Sequence, residues 1–254
     1  ELADLGFDGF EETETGLLSY IALAGFDGEL TSGLEELVNR YGLTYTSNAI
    51  DKQNWNALWE SNFEPVLVDD FVGVRANFHD SFNGAVEHDI IITPKMSFGT
   101  GHHGTTYSVM QLMRGIDFKG QSVFDFGTGT GLLAILAHKL GAGDILAVDN
   151  DDWCIENALE NTHKNSSKSI IIKKVESAIQ TDHFDIILAN VNRHIIEANM
   201  LELTHAGKAG GQLVLSGLLI EDQVDMIHLA AQNGWNFLSQ KQRNGWISLL
   251  FNRP

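Results

Sequence analysis

The sequence has little cysteine, little proline and no long apolar run. Its single cysteine, Cys154, excludes an internal disulfide and fits a reducing compartment. The sequence has 43% hydrophobic residues, 20% charged residues and only 3 prolines, a composition that excludes wholesale disorder. Its hydrophobic residues are enough for the core of one large or two modest domains. No apolar run approaches the roughly 20 residues of a membrane span, and from the opening residues we expect no signal peptide. We therefore expect a cytoplasmic protein with no membrane partner.

Basic residues are also scarce. The 16 lysines and arginines are outnumbered by 34 aspartates and glutamates, so the formal net charge is −18. Such a chain repels phosphates, which argues against direct binding of nucleic acid. The charge permits a basic protein partner, although acidity that only maintains solubility explains it equally well. We expect a monomer that does not contact nucleic acid directly.

Residues 1–50 have the pattern of a small α+β domain. Two strands, a helix and a third strand are predicted over Phe10–Thr15, Leu17–Ala22, Leu30–Tyr41 and Leu43–Ile50. The opening residues, which end in Gly6, are typical of the last turn of a helix closed by glycine. We therefore expect further residues before Glu1.

A helical stripe follows this domain. Its apolar residues recur at the spacing of one helix face: Trp55, Leu58, Trp59 and Phe63. Pro65 ends the pattern, which predicts a linker helix over residues 51–64 whose stripe is most simply explained by packing. A second, larger domain is then expected over residues 65–254.

From Gln121 onward, strand-like runs alternate with helical ones, which predicts a parallel sheet with helices on both faces. The predicted strands are Ser122–Phe126, Asp144–Val148, Ser169–Val175, Phe184–Ala189 and Gln212–Ser216. The predicted helices are Leu132–Leu140, Asp151–His163, Arg193–His205 and Glu221–Gln232. The tail differs, because Asn244-Gly245 is a strong turn signal that predicts a β-hairpin between Phe237 and Asn252.

The most informative segment is a glycine-rich turn formed by Gly127, Gly129 and Gly131. The turn is preceded by a strand with the apolar pattern of a buried strand, which contains Asp125, and the turn is followed by a helix. Glycines let the backbone turn tightly and approach a ligand, and the helix start offers free N–H groups. Asp149 ends the next strand, where an acid can accept hydrogen bonds from both hydroxyls of a ribose. The turn therefore predicts a nucleoside-containing cofactor.

Two cofactor classes use this arrangement. Gly129, Gly131 and Ala134 satisfy the weaker, alanine form of the dinucleotide pattern, so the turn also fits an NAD(P)-dependent oxidoreductase. S-adenosylmethionine has no phosphate, and its sites prefer an acid at the end of the first strand, near the methionine ammonium. Asp125 stands at that position and would repel a pyrophosphate, so it favours S-adenosylmethionine. A tight turn without a ligand and a non-enzymatic acidic binding module are also compatible with these residues.

Two further polar segments are candidate parts of the site. Residues 97–106 form a flexible polar loop that could close over a ligand, or that simply begins a helix with Thr105 or Thr106 as its cap. Asn190 ends a later buried strand at the carboxyl edge of the sheet, where its amide can accept a hydrogen bond from a substrate amine. Asn192 nearby suits the cap of the following helix.

Two residue types that often carry chemistry lack partners in the sequence. The pair His102-His103 has no nearby cluster with metal-ligand spacing, so we expect no metal site. Cys154 has no indicated base that would make it a nucleophile.

Together these segments resemble the PrmA family, which methylates ribosomal protein eleven of the large subunit. The likeness covers about residue 51 to the end and is faint over the first 50 residues. The stretches that carry it are Asn54–Pro65, Phe98–Gly101 with His103–Thr106, Asp125–Ala134, Ala189–Val191, Gly210-Gly211 and Leu215–Gly217. The glycine turn is common to many methyltransferases, whereas the Phe-Gly-Thr-Gly loop is much more specific.

The resemblance implies a class I (Rossmann-like) α/β methyltransferase fold, with a seven-stranded sheet ending in an antiparallel hairpin and a small N-terminal α+β domain. It implies that Thr106, Gly127, Asp149 and Asn190 contact S-adenosylmethionine, beside the Asp125 and Gly129 indicated by the glycine turn. Asn190 would also lie next to the incoming amine as the catalytic residue. The N-terminal domain would bind the ribosomal protein, and the linker helix would let that domain swing.

The products implied are methylated lysine side chains and a methylated amino terminus of the ribosomal protein; a different amine substrate would fit the same site. The segment after Asn190 lacks the Asn-Pro-Pro-Tyr form of enzymes that methylate planar amides or bases. One departure concerns the loop, where the family usually reads Gly-Thr-His-Pro-Thr-Thr and this chain has His102 and Gly104 in place of threonine and proline. We therefore expect a looser loop here.

Overall fold

A computed structural model describes residues 1–3, 5–7, 9–13, 16–49, 63–95 and 98–254. The chain divides into two compact units, Glu1–Asn54 and Trp55–Pro254. The linker helix predicted over residues 51–64 lies outside the described residues, except for its last two positions. Within the described ranges, no helix is both long enough and apolar enough to cross a membrane.

The described part of the first unit contains a two-stranded antiparallel sheet and an α-helix. Strands β1 (Gly9–Thr13) and β2 (Gly16–Tyr20) pair with each other, and helix α1 spans Gly28–Tyr41. Its small core consists of Phe7, Leu30 and Leu34. The strand predicted from Leu43 is wrong over residues 43–49, which have no regular secondary structure. A β-patterned segment becomes a strand only where another backbone pairs with it, and no described strand of this unit does so.

The first described strands of the second unit form a three-stranded sheet. Its strands are β3 (Val66–Val68), β4 (Val72–Ala76) and β5 (His88–Ile92). The pair β3–β4 is antiparallel and the pair β4–β5 is parallel. Inward residues such as Val72, Val74 and Ile90 are fully buried, so this sheet packs on the main core.

A seven-stranded sheet forms the centre of the second unit, with the order β11-β12-β10-β9-β6-β7-β8. Its strands are β6 (Val123–Phe126), β7 (Ile145–Asp149), β8 (Ile171–Lys174), β9 (Phe184–Asn190), β10 (Gly207–Leu219), β11 (Asn236–Arg243) and β12 (Trp246–Asn252). Strands β6 to β10 pair in parallel, and β12 pairs antiparallel with β10 and with β11. The predicted α/β sheet with a closing hairpin is therefore confirmed.

Helices cover both faces of this sheet. They are α2 (Gly104–Met113), α3 (Leu132–Lys139), α4 (Asp152–Lys164), α5 (Arg193–Ala206) and α6 (Gln223–Gln232). Because side chains alternate along a strand, Ile186 and Leu188 join the core shared with α2 and α3. Ile187 and Ala189 join the opposite core, which α5 and α6 complete.

The chain order places a crevice beside the central strand β6. From β6 the chain proceeds outward through β7 and β8, and it then returns to add β9 and β10 on the other side. The carboxyl ends of β6 and β9 meet at this reversal of strand order, which is where parallel α/β sheets bind ligands. Asp125 and Asn190 come from these strand ends.

Candidate active site

A cavity of about 420 Å³ opens at the carboxyl ends of β6, β7 and β9. Its walls are the glycine turn, the loop before α2, the end of β9 and part of the hairpin. The lining includes Asp149, Asp151 and Glu176 but no lysine or arginine from the described chain. Acids without a basic partner disfavour a pyrophosphate and suit a ligand with positive charge.

The glycine turn allows close contact between neighbouring backbones. Gly127 and Gly129 have φ angles of +76° and +54°, and both line the cavity. A Cβ atom on Gly127 would lie 2.2 Å from Cγ1 of Val191, and one on Gly129 would lie 2.5 Å from the carbonyl oxygen of Phe98. A side chain at either position would therefore displace a wall of the cavity.

The polar loop lies on the glycine turn and is bonded to it. The backbone N–H of Thr130 donates to the carbonyl oxygen of Phe98 at 3.1 Å, and the Thr130 hydroxyl donates to the carbonyl of Gly99 at 2.6 Å. Phe98 and Gly99 line the cavity, and the Phe98 side chain is 63% exposed. The described part of this loop therefore forms a wall of the cavity.

Helix α2 begins differently from the prediction. Its N-cap is His103, whose Nδ1 accepts the N–H of Thr105 at 3.4 Å, so the expected cap at Thr105 or Thr106 is wrong. A Cβ on Gly104 would lie 2.7 Å from the carbonyl oxygen of Arg243. Gly104 is the buried first residue of the helix, and its lack of a side chain allows the hairpin to approach; the looser loop expected from the sequence stays a prediction.

Aromatic rings form one rim of the cavity. The ring of His103 lies 4.5 Å from that of Trp246 and 5.2 Å from that of Phe98. Burial lowers the pKa of His103, which favours its neutral form. His102 lies outside the lining and packs edge-on against Phe63 at 4.9 Å. The sequence carries no local signal for Trp246 in the site, because this residue enters from the hairpin.

Asp149 presents a fixed carboxylate to the cavity. Its Oδ2 accepts the N–H of Gly129 at 2.9 Å, and its Oδ1 accepts the N–H of Asp151 at 3.2 Å. These bonds orient the carboxylate and leave it lone pairs that can accept bonds from a ligand.

Asn190 and Thr106 meet on another wall of the cavity. The amide Nδ2 of Asn190 donates to the hydroxyl of Thr106 at 3.2 Å. The Asn190 Oδ1 is buried and has no hydrogen-bond partner among the described residues. An unpaired buried acceptor costs roughly 1–3 kcal/mol, a cost that a ligand donor would remove. Asn192, proposed as a cap, stands at the N-cap of α5, but its side chain makes no capping bond.

Asp125 lies behind the turn and is absent from the cavity lining. It is 1% exposed, and its Oδ2 accepts the hydroxyl of Thr128, a lining residue, at 2.6 Å. Burial raises the pKa of Asp125 to about 7, and the Asp149 charge acts in the same direction against the Thr128 hydrogen bond. Its Oδ1 has no partner in the described chain. Thr128 thus links this acid to the cavity.

Cys154 is a cavity residue with an unreactive thiol. Burial raises its pKa to about 12, and the carboxylates of Asp149 and Asp151 act in the same direction. Because the thiolate is the nucleophilic form, this thiol is inert at neutral pH. Across the described ranges, no three histidine, cysteine, aspartate or glutamate side chains gather as metal ligands.

The family model described as ribosomal protein L11 methyltransferase (PrmA) matches residues 11–254. The chain belongs to this family. The match starts well before residue 51, so it extends into the region where the motifs are faint. The chain is a methyltransferase of the class I fold, and its cofactor is S-adenosylmethionine. An oxidoreductase is not favoured, in agreement with the acidic cavity.

Several relatives carry the family's name over nearly the whole chain. The ribosomal protein L11 methyltransferase of Porphyromonas gingivalis is 38% identical, with 99% of this chain and 88% of the relative covered. That of Phocaeicola vulgatus is 34% identical, with coverage of 98% and 90%. The crystal structure of a ribosomal protein L11 methylase from Lactobacillus delbrueckii subsp. bulgaricus is 27% identical and superposes with a TM-score of 0.66, covering 75% of this chain and 99% of that one.

Proposed function

We propose that this methyltransferase modifies ribosomal protein L11 at lysine side chains and at the amino terminus. The relatives are named for methylation of ribosomal protein L11, which supports the protein substrate but does not specify the groups that are modified. The net charge of −18 complements a basic protein. The observation that carries the choice of an amine is Asn190, whose unpaired Oδ1 is an acceptor on the cavity wall. A ribosomal substrate also implies action in the cytoplasm.

The cofactor would be held by residues that already have fixed orientations. Asp149 would accept the ribose hydroxyls, because its carboxylate is oriented by the Gly129 N–H. The backbone at Gly127 and Gly129 would contact the rest of the ligand at close range. A methionine ammonium bound in front of Thr128 would favour the ionised form of Asp125 and be attracted by it, and Thr106 would complete the opposite wall.

The bound cofactor supplies an activated methyl group, so the chain's own residues need only prepare the amine. Asn190 would accept a hydrogen bond from the amine and orient its lone pair. The rim formed by Phe98, His103 and Trp246 would exclude water from it. A free lysine has a pKa of about 10.4, and desolvation favours its neutral, nucleophilic form. Positioning of this kind supplies up to about 7–11 kcal/mol in favourable cases. We assign no dedicated base.

The first domain, residues 1–50, is proposed to bind the ribosomal protein, with residues 51–64 as the linker to the catalytic domain 65–254. The support is that the cavity belongs to the second unit, so the first unit is free for another task. This proposal keeps cofactor binding and substrate recognition in separate parts of the chain.

The test is mass spectrometry of purified ribosomal protein L11 after incubation with the enzyme and S-adenosylmethionine. We expect mass increments of whole methyl groups on lysine-containing peptides and on the amino-terminal peptide. Substrate with acetylated lysines should be methylated only at its amino terminus, and substrate with a blocked amino terminus only at lysines. If the ribosomal protein stays unmodified although the enzyme binds S-adenosylhomocysteine, the proposed substrate is wrong and the enzyme methylates a different amine.

A further inference from the structure

A buried amide on α4 joins the two loops that form the cavity. Asn161 is fully buried, and its Oδ1 accepts the backbone N–H of Thr93 at 2.7 Å. Its Nδ2 donates to the carbonyl oxygen of Thr130 at 2.8 Å and to Oδ1 of Asn157 at 3.1 Å. Thr93 follows β5 and starts the segment that leads to the polar loop, whereas Thr130 belongs to the glycine turn. One side chain thus connects the start of one loop with the backbone of the other.

The same loops meet again at the cavity. Thr130 donates its N–H to Phe98 and its hydroxyl to Gly99, so its polar groups all point to the other loop or to Asn161. Phe98, Gly99 and Gly129 line the cavity, but Thr130 and Asn161 do not. Thr130 therefore holds Phe98 and Gly99 in the cavity wall without lining the cavity itself.

Two successive residues of α4, Glu160 and Asn161, hold the start of the polar loop in place. Glu160, next to Asn161, accepts the Thr93 hydroxyl at 2.7 Å and pairs with Lys95 at 2.8 Å. Burial works against the ionised form of Glu160, yet hydrogen bonds from Lys164, Lys95 and Thr93 outweigh it and hold its pKa at about 2. These contacts attach the start of the polar loop to α4, and Asn161 extends the attachment to the glycine turn.

We propose that Asn161 is a positioning residue for the cofactor. It holds both loops in their binding arrangement before the ligand arrives, so that binding does not have to order them. This inference rests on the assignment of the cavity to S-adenosylmethionine. Loss of the bridge should weaken cofactor binding about tenfold, the equivalent of one hydrogen bond of about 1.4 kcal/mol.

The test compares Asn161→Ala with Asn165→Ala, one turn later on α4. Asn165 also ties the helix to β5, because its Oδ1 accepts the N–H of Ile91 at 3.0 Å and its Nδ2 donates to the Ile91 carbonyl at 2.6 Å. Its hydrogen bonds do not include the glycine turn. Calorimetry with S-adenosylhomocysteine and a melting curve are measured for both variants.

Both variants should melt earlier than the wild type, but only Asn161→Ala should raise the Kd for S-adenosylhomocysteine about tenfold. Equal Kd values for the two variants would overturn the inference. Failure of the wild-type protein to bind S-adenosylhomocysteine would instead overturn the proposed function.

If Asn161→Ala does not fold, a measurement on the wild-type protein can test the inference instead. Hydrogen exchange of the Thr93 and Thr130 amides should already be slow without ligand, because both N–H groups are bonded in the preformed arrangement. Exchange that is fast without ligand and slows only when S-adenosylhomocysteine is added would contradict preorganisation by Asn161.

Discussion

Asp125→Asn should change how the free energy of unfolding depends on pH. In the folded protein the pKa of Asp125 is about 7, against an ordinary value of 3.8. Between these pH values the folded state holds a proton that the unfolded state has released. The stabilisation from this group is therefore complete below about pH 4 and is lost as the pH rises through 7.

The size of the effect follows from the difference between the two pKa values. At about 1.4 kcal/mol per pH unit, with the slope falling off as Asp125 itself ionises near pH 7, the wild type should lose roughly 2 kcal/mol relative to Asp125→Asn between pH 5 and 7. Asparagine is neutral throughout this range, and its carbonyl oxygen can still accept the Thr128 hydroxyl. Measurements stay at or above pH 5, because the pKa values of Glu160 and Asp185 are lowered to about 2 in the folded protein, and the stability that these carboxylates contribute is lost in more acidic solution.

Denaturant unfolding at pH 5, 6, 7 and 8 is the assay, with both proteins in the same buffers. The free energy of wild type minus variant should fall with rising pH and level off above 7. Asp149→Asn is a second check, because loss of that charge should move the midpoint to lower pH. Parallel curves for wild type and Asp125→Asn would refute the argument that Asp125 is buried in its neutral form.

Further predictions concern the proposed roles. Asp149→Ala should weaken S-adenosylhomocysteine binding in calorimetry by about 1.5–3 kcal/mol, the worth of hydrogen bonds to a charged acceptor; unchanged affinity in a folded variant would remove the ribose role. Asn190→Ala should lower single-turnover methylation roughly 10²-fold with little change in cofactor affinity, whereas earlier melting at a normal rate would make Asn190 structural. Deletion of residues 1–50 should retain cofactor binding and abolish methylation of ribosomal protein L11, and full-rate methylation by the truncated enzyme would contradict the recognition role. Cys154→Ser should leave kcat unchanged in the methylation assay, because the thiol is not ionised; a large loss would reopen a chemical role for it.

Much of the second unit was predictable from local patterns. The alternation of strand-like and helical runs after Gln121 gives each strand and helix to within a few residues, with β10 longer than expected. Asn244 and Gly245 both adopt positive φ, as the hairpin turn signal requires. Hydrophobic periodicity and turn residues indicate which local structure each segment prefers. In this unit the tertiary contacts favour the same local structure, so the predictions succeed.

The predictions that failed depended on partners distant in the chain. Residues 43–49 have strand-like composition, but no described strand of their unit pairs with them. The cap of α2 is His103 and not a threonine, and that ring also packs on Trp246 of the hairpin. Local cap preferences contain no information about a ring contributed from the far end of the sequence.

By itself, the sequence determined the class of fold, the glycine turn and the family motifs, because each is a pattern of nearby residues with its own steric reason. Only the tertiary structure decided that Asp125 lies behind the turn with a raised pKa, since burial depends on everything packed around a side chain. It also decided that Asn161 bonds to Thr93, 68 positions earlier, and to Thr130, 31 positions earlier. Such contacts arise from the packing of α4 between two loops, a relation that no local spacing encodes.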